Sequence, residues 1–203
     1  MKGFSFIEIM ISVGIAAVVL VSLFELTSKN LTAAELLKRR FIGANLAQEG
    51  IEIVANIRSN NWLKYPGVVQ ADLNADGTLR KWRGETQPPC SPGTDDCLAN
   101  GNYIANYNSA TQLTPFNPIL PLSSCPGTND CLVIDSTGYY CHQFAPGCAA
   151  GTTISTPYHR VITISTPSGT PGTHEMIVVS TVSWVYNGDP YSVSIEERLY
   201  NWK

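Results

Sequence analysis

The sequence predicts an α+β fold, with one long N-terminal helix against an antiparallel sheet of four or five strands and disulfide-stapled loops beside it. Three observations carry that expectation. An apolar run from Phe4 to Leu26 passes without a proline into an amphipathic stretch reaching Trp62. Near the C-terminus the hydrophobic period changes from helical to two, and six cysteines, an even number, all fall between Cys90 and Cys148.

The first element is the apolar run. Its 23 residues make about 35 Å of helix at 1.5 Å per residue, enough to cross a bilayer core of about 30 Å. A secretory signal peptide would be shorter and carry a small-residue cleavage site, and this segment offers none before Lys29. Between Phe4 and Phe24 the single charge is Glu8. A carboxylate in such a helix costs roughly 2.5 to 3.5 kcal/mol on insertion scales, so its presence implies a partner.

From Leu31 to Trp62 apolar residues recur near helical spacing at Leu31, Leu46, Ile53, Val54 and Ile57. One helix over 4–62 is therefore expected, with segment 4–30 in lipid or among other such helices and segment 31–62 covering a soluble core. Gly14, Gly43 and Gly50 are places for bending or for close packing. Glu35 and Arg39 stand at the i,i+4 spacing of an ion pair. The basic cluster Lys38-Arg39-Arg40 lies beyond the apolar run and, by the positive-inside rule, opposes a cytoplasmic N-terminus. An oxidising exterior for the cysteines argues for one.

Residues 63–203 suit a single exported domain, expected as a loop region over 63–130 and a sheet over 131–203. The expected strands are Cys131–Asp135 and Gly138–Phe144, turning through Ser136-Thr137, then Tyr158–Thr166, Met176–Tyr186 and a last strand. In that last strand Tyr191, Val193, Ile195 and Leu199 alternate with Ser192, Ser194, Glu196 and Arg198. Asn187-Gly188-Asp189-Pro190 reads as the hairpin joining the final two. The cysteines are spaced as Cys90-x6-Cys97, Cys125-x5-Cys131 and Cys141-x6-Cys148, and the first two loops each hold a Pro-Gly turn that favours local pairing. Six cysteines nonetheless allow 15 connectivities. Zinc is disfavoured, because no two-residue knuckle occurs and His142, His159 and His174 are scattered.

The run Asp72-Leu73-Asn74-Ala75-Asp76-Gly77-Thr78 has two readings. Asp72, Asn74, Asp76 and Thr78 match the first ligand positions of a calcium loop, but Arg83 stands where the closing carboxylate belongs. The other reading is an Asx-rich turn. No nucleophile elbow, phosphate loop or metal-ligand pair on one helix face occurs, so an enzyme is not expected; no cofactor is required, and calcium at the Asp72 loop is the one candidate. A net charge of −3 with no basic stripe disfavours nucleic acid.

The residues Gly3-Phe4-Ser5-Phe6-Ile7-Glu8, followed by the apolar helix, resemble the processing site of type IV pilins and of the pseudopilins of type II secretion. The resemblance implies a leader over residues 1–3, cleavage between Gly3 and Phe4 by a prepilin peptidase, and N-methylation of Phe4. It also implies that Glu8 faces the new amine of Phe4 and sets the register of a filament, and that the fold is pilin-like. The expected partners are other pilin subunits, the peptidase and an inner-membrane assembly machinery. The expected location is the cytoplasmic membrane before assembly and a surface pilus afterwards. Length and loops suggest a minor pilin. Alternatives are a type II secretion pseudopilin, or a pilus-borne adhesin or DNA-uptake pilin.

Overall fold

The computed structural model describes residues 5–64, 98–106, 113–115, 131–142, 148, 153–167 and 175–200. Contacts divide the chain into two units, Met1–Phe41 and Ile42–Lys203. Helix α1, Phe6–Lys64, contributes to both.

In the first unit the described part is helix alone. Every residue from Ser5 to Ala34 is exposed, including Phe6, Ile7, Val13, Val18 and Phe24. The helix opens where the Ser5 carbonyl accepts hydrogen bonds from the amides of Glu8 (3.0 Å) and Ile9 (3.3 Å). Leu31 belongs to this uncovered part and is 68% exposed, so it is not part of the core stripe that its spacing suggested.

The second unit holds the core. Among the described residues seven antiparallel strands form one sheet, against the four or five expected. They are β1 Gly101–Ile104, β2 Thr114–Pro115, β3 Cys131–Ile134, β4 Tyr140–His142, β5 Ile154–Ser165, β6 Glu175–Tyr186 and β7 Asp189–Tyr200. The additional strands are β1 and β2, inside the stretch expected as loop. Gly101, Asn102 and Pro115 carry little strand propensity; pairing to their neighbours places them in strands.

β5 organises the sheet. One edge pairs with β6 over its C-terminal half, from His159↔Ser183 to Ser165↔Ile177, and β6 pairs with β7 along its full length. The other edge is shared, β3 taking Ile154–His159 and β1 taking Gly101↔Ile164 to Tyr103↔Ile162. Arg160 and Val161 lie at the junction of those two short strands, hereafter the seam.

The β6–β7 hairpin turns through Asn187 (φ 54°) and Gly188 (φ 88°), the two left-handed residues that a type I′ turn needs. Asp189 and Pro190 belong to β7 and not to the turn, with Pro190 opposite Val185. Proline is tolerated there because β7 is an edge strand among the described residues. The β3–β4 turn closes on Asp135, whose carboxylate accepts from the Thr137 amide (2.9 Å), the Thr137 hydroxyl (2.6 Å) and the Tyr139 amide (3.1 Å).

α1 covers one face of this sheet from Ile42 onward. Ile51, Ile53, Val54 and Ile57 pack with Tyr103, Ile162, Ile164, Met176 and Val178. Leu46 and Ala47 pack with Leu132, Tyr158, Val182 and Trp184. Two glycines let the helix approach closely. A Cβ on Gly43 would stand 2.8 Å from the Trp184 ring, and one on Gly50 would stand 2.3 Å from Ser180 Oγ. Within this unit they act as packing notches, and α1 continues through both without interruption. Ser180 is the one polar residue in the buried row Met176, Val178, Ser180, Val182, Trp184 of β6, and it faces the Gly50 notch.

Candidate functional site

The N-terminal helix segment is the first candidate. From Phe6 to Phe24 its 19 residues span about 29 Å, close to the hydrocarbon thickness of a bilayer. This helix is long and apolar enough to cross a membrane, and none of its apolar window is buried within the chain. Its hydroxyls do not disturb that surface. Ser12, Ser22, Thr27 and Thr32 donate to the carbonyls of Ile9, Val18, Leu23 and Ser28 at 2.9, 2.9, 2.8 and 3.1 Å, so each is satisfied by its own helix. Such internal pairing is what an apolar solvent requires.

Glu8 is different in kind. It lies in the first turn of α1, exposed, where the helix dipole favours an anion. The next carboxylate, Glu25, is about 26 Å further along and pairs with Lys29 at 2.7 Å. Glu35 and Arg39 form the expected i,i+4 pair at 3.1 Å. These pairs mark the polar end of the apolar segment, whereas Glu8 marks its start. Gly3 and Phe4, the expected cleavage and methylation positions, lie outside the described residues.

No protein-family model, curated protein or solved structure matches this chain.

Cys141 and Cys148 form a disulfide, closing a short loop after β4. Cys131 is also disulfide-bonded, and its sulfur lies 3.7 Å from His159 Nδ1. The other three cysteines, Cys90, Cys97 and Cys125, lie outside the described residues. Asp135 approaches the sulfurs of Cys141 and Cys148 within 4.8 Å, but those sulfurs are bonded to each other and offer no thiolate to a metal. Asp72, Asn74, Asp76 and Thr78, the candidate calcium ligands, are outside the described residues as well.

The second unit contains a polar cluster that the sequence reading did not identify, at the seam. Arg160 is fully buried. Its Nη1 donates to the carbonyl of Leu46 on α1 (3.1 Å) and lies 3.0 Å from Glu49, while its Nη2 donates to Ala105 just past β1 (2.7 Å). Burial pulls the guanidinium below its ordinary value, and the Glu49 carboxylate opposes that pull. Asn106 stands in for a strand residue. Its side-chain oxygen accepts from the His142 amide (2.6 Å) and its side-chain nitrogen donates to the His142 carbonyl (3.2 Å), tying the end of β1 to β4.

The His142 ring completes the cluster, with Nδ1 3.0 Å from the Ala105 carbonyl and Nε2 3.1 Å from the Arg160 carbonyl. One signal in the sequence pointed here. Alternation along β5 places Tyr158, Arg160, Ile162 and Ile164 in one buried row, and a charge in such a row must be paired. Glu49, Asn106 and His142 come from three other segments, and no local pattern links them to Arg160.

Proposed function

We propose that this chain is a structural subunit of a type IV pilus-like filament, of the minor-pilin kind. It is made as a membrane-anchored precursor, cut between Gly3 and Phe4, and assembled through its N-terminal helix. The observation that carries this reading is the single carboxylate of Glu8 at the head of an apolar helix whose side chains from Phe6 to Phe24 are exposed. An uncovered apolar helix needs lipid before assembly and neighbouring helices afterwards. A free amine on Phe4 would give Glu8 its counter-charge, within one helix or between two. The pair restricts register, because a one-residue slip strands the acid in an apolar setting.

The second unit supports the same reading. A helix that leaves the apolar segment and then covers an antiparallel sheet suits a domain carried outside a membrane, and the Cys141–Cys148 disulfide suits an oxidising compartment. A pseudopilin of type II secretion would be built from the same parts and differs in whether long fibres contain it.

Intact mass and N-terminal sequencing of the surface protein test the processing step. A chain beginning at N-methylated Phe4 is expected, and one beginning at unmodified Met1 refutes it. Glu8→Ala should insert into membranes at least as well as the parent and enter filaments poorly. Normal filament incorporation of that variant defeats the pairing argument.

A further inference from the structure

The seam cluster has a chemical peculiarity in His142. The side chain is fully buried, and both ring nitrogens face backbone carbonyl oxygens, Ala105 at 3.0 Å and Arg160 at 3.1 Å. A third oxygen, Oδ1 of Asn106, lies 3.3 Å from Nδ1. A neutral imidazole carries one N–H and so can donate to only one of the two carbonyls; its other nitrogen would turn a lone pair toward an oxygen lone pair. The imidazolium donates to both.

We propose that His142 is carried as an imidazolium inside the folded domain, and that closure of the seam between β1 and β4 is therefore proton-linked. Among the described residues, the charged groups around His142 lie on the elements packed against it. On β5 the Arg160 guanidinium opposes a second positive charge. On α1 the Glu49 carboxylate, 3.0 Å from Arg160, offsets that cation. The residues past β1, Ala105 and Asn106, carry no charge and supply oxygens. On β4 the neighbouring Cys141 is oxidised and does not titrate. Across the β3–β4 hairpin the Asp135 carboxylate is engaged by its own turn. His159, next along β5, alternates to the opposite face, beside Cys131.

The oxygens of Leu46, Ala105, Arg160 and Asn106, together with Glu49, thus converge on two cationic side chains. Proton binding acts on assembly of the domain because His142 is the point where β4, β5 and the end of β1 meet. Loss of the proton releases one of the two carbonyl contacts and loosens Ala105–Asn106 from β4.

The direction follows from linkage. The folded form holds the proton more tightly than the unfolded chain, in which histidine titrates near pH 6.5, to within about a unit. The stabilisation is complete below that pH and is lost as pH rises through the folded-state value. Between the two, the folding equilibrium constant falls about tenfold per pH unit.

The test uses the full chain in detergent micelles with ¹⁵N-labelled histidine. At about pH 7.5, where an ordinary imidazole is mostly neutral, the His142 ring should show two protonated nitrogens. The signal is assigned by its loss in His142→Gln and its retention in His159→Gln. A neutral single-tautomer ring at that pH overturns the proposal. In urea titrations the parent should lose stability as pH rises from about 6.5 to about 8.5, and His142→Gln should lose much less of it. Equal pH slopes in the two proteins also overturn it. Should His142→Gln fail to fold, the ring spectrum of the parent, assigned through His159→Gln and His174→Gln, decides alone.

Discussion

Replacing Arg160 by methionine removes a buried cation that ties α1 to the seam. Methionine follows much of the same path and fills most of the volume, so the loss is in hydrogen bonding and charge and not in packing. Two charge-assisted donations disappear, to Leu46 and to Ala105. Each such bond contributes about 1.5 to 3 kcal/mol net. The Leu46 carbonyl lies within α1, where the helix ladder also supplies a donor, and the Ala105 carbonyl keeps the His142 ring. Glu49 is left without its cation, but its side chain is 32% exposed and part of its charge reaches water.

These offsets place the expected destabilisation at the low end of the range for breaking a buried pair, about 3 kcal/mol. That corresponds to a fall in Tm of about 6 to 12 °C for a domain of this size. Urea denaturation of the full chain in micelles, followed by near-ultraviolet circular dichroism of the buried Trp184, measures it. The double variant Glu49→Met with Arg160→Met should be more stable than Arg160→Met alone, because no half-buried charge remains unpaired. A loss below about 1 kcal/mol for the single variant, or a double variant that loses the sum of the two singles, would refute the reasoning.

Two further substitutions test the packing and the loop. Gly50→Ala places a methyl 2.3 Å from Ser180 Oγ and should destabilise by about 1 to 3 kcal/mol, with substantial recovery in the pair Gly50→Ala, Ser180→Gly. Gly14→Ala is its control; beyond the helix's own nearby backbone the added carbon meets no atom within 4 Å, so thermal melting should show no loss. Replacing both Cys141 and Cys148 by serine opens a loop of about eight residues and should cost about 2.5 kcal/mol of loop-closure entropy in chemical denaturation. An unchanged midpoint would mean that the loop is held by other contacts.

Much of the fold was legible because its signals are local. An uninterrupted apolar run declares a helix by length and composition, and α1 extends from Phe6 to Lys64, against the 4–62 expected. Asn187-Gly188 declares a type I′ hairpin through the conformational freedom of those two residues, and the φ angles are the left-handed ones that it requires. Alternation in β6 and β7 declares strands, β6 with one face buried and β7 with its Tyr191, Val193 and Ile195 side half-buried. The short strands β1 and β2 were not legible. Four and two residues carry too little pattern, and β1 forms because β5 offers it a free edge beyond the end of β3. Glu8 could be singled out by its position in an uncharged run, whereas Leu31 shared the spacing of the core stripe and is exposed.

The amino-acid order alone thus determined the helix, the hairpins, the apolar head with its one acid and the local cysteine spacing, since each depends on neighbours within a few residues. The tertiary structure decided what faces what. It set Gly43 against Trp184 and Gly50 against Ser180, divided one edge of β5 between β1 and β3, and gathered Glu49, Asn106, His142 and Arg160 into one buried cluster. Those four residues are up to 111 positions apart (160 − 49). A buried charge has to find oxygen partners wherever the packed chain supplies them, and that condition is met only after the sheet and helix have come together.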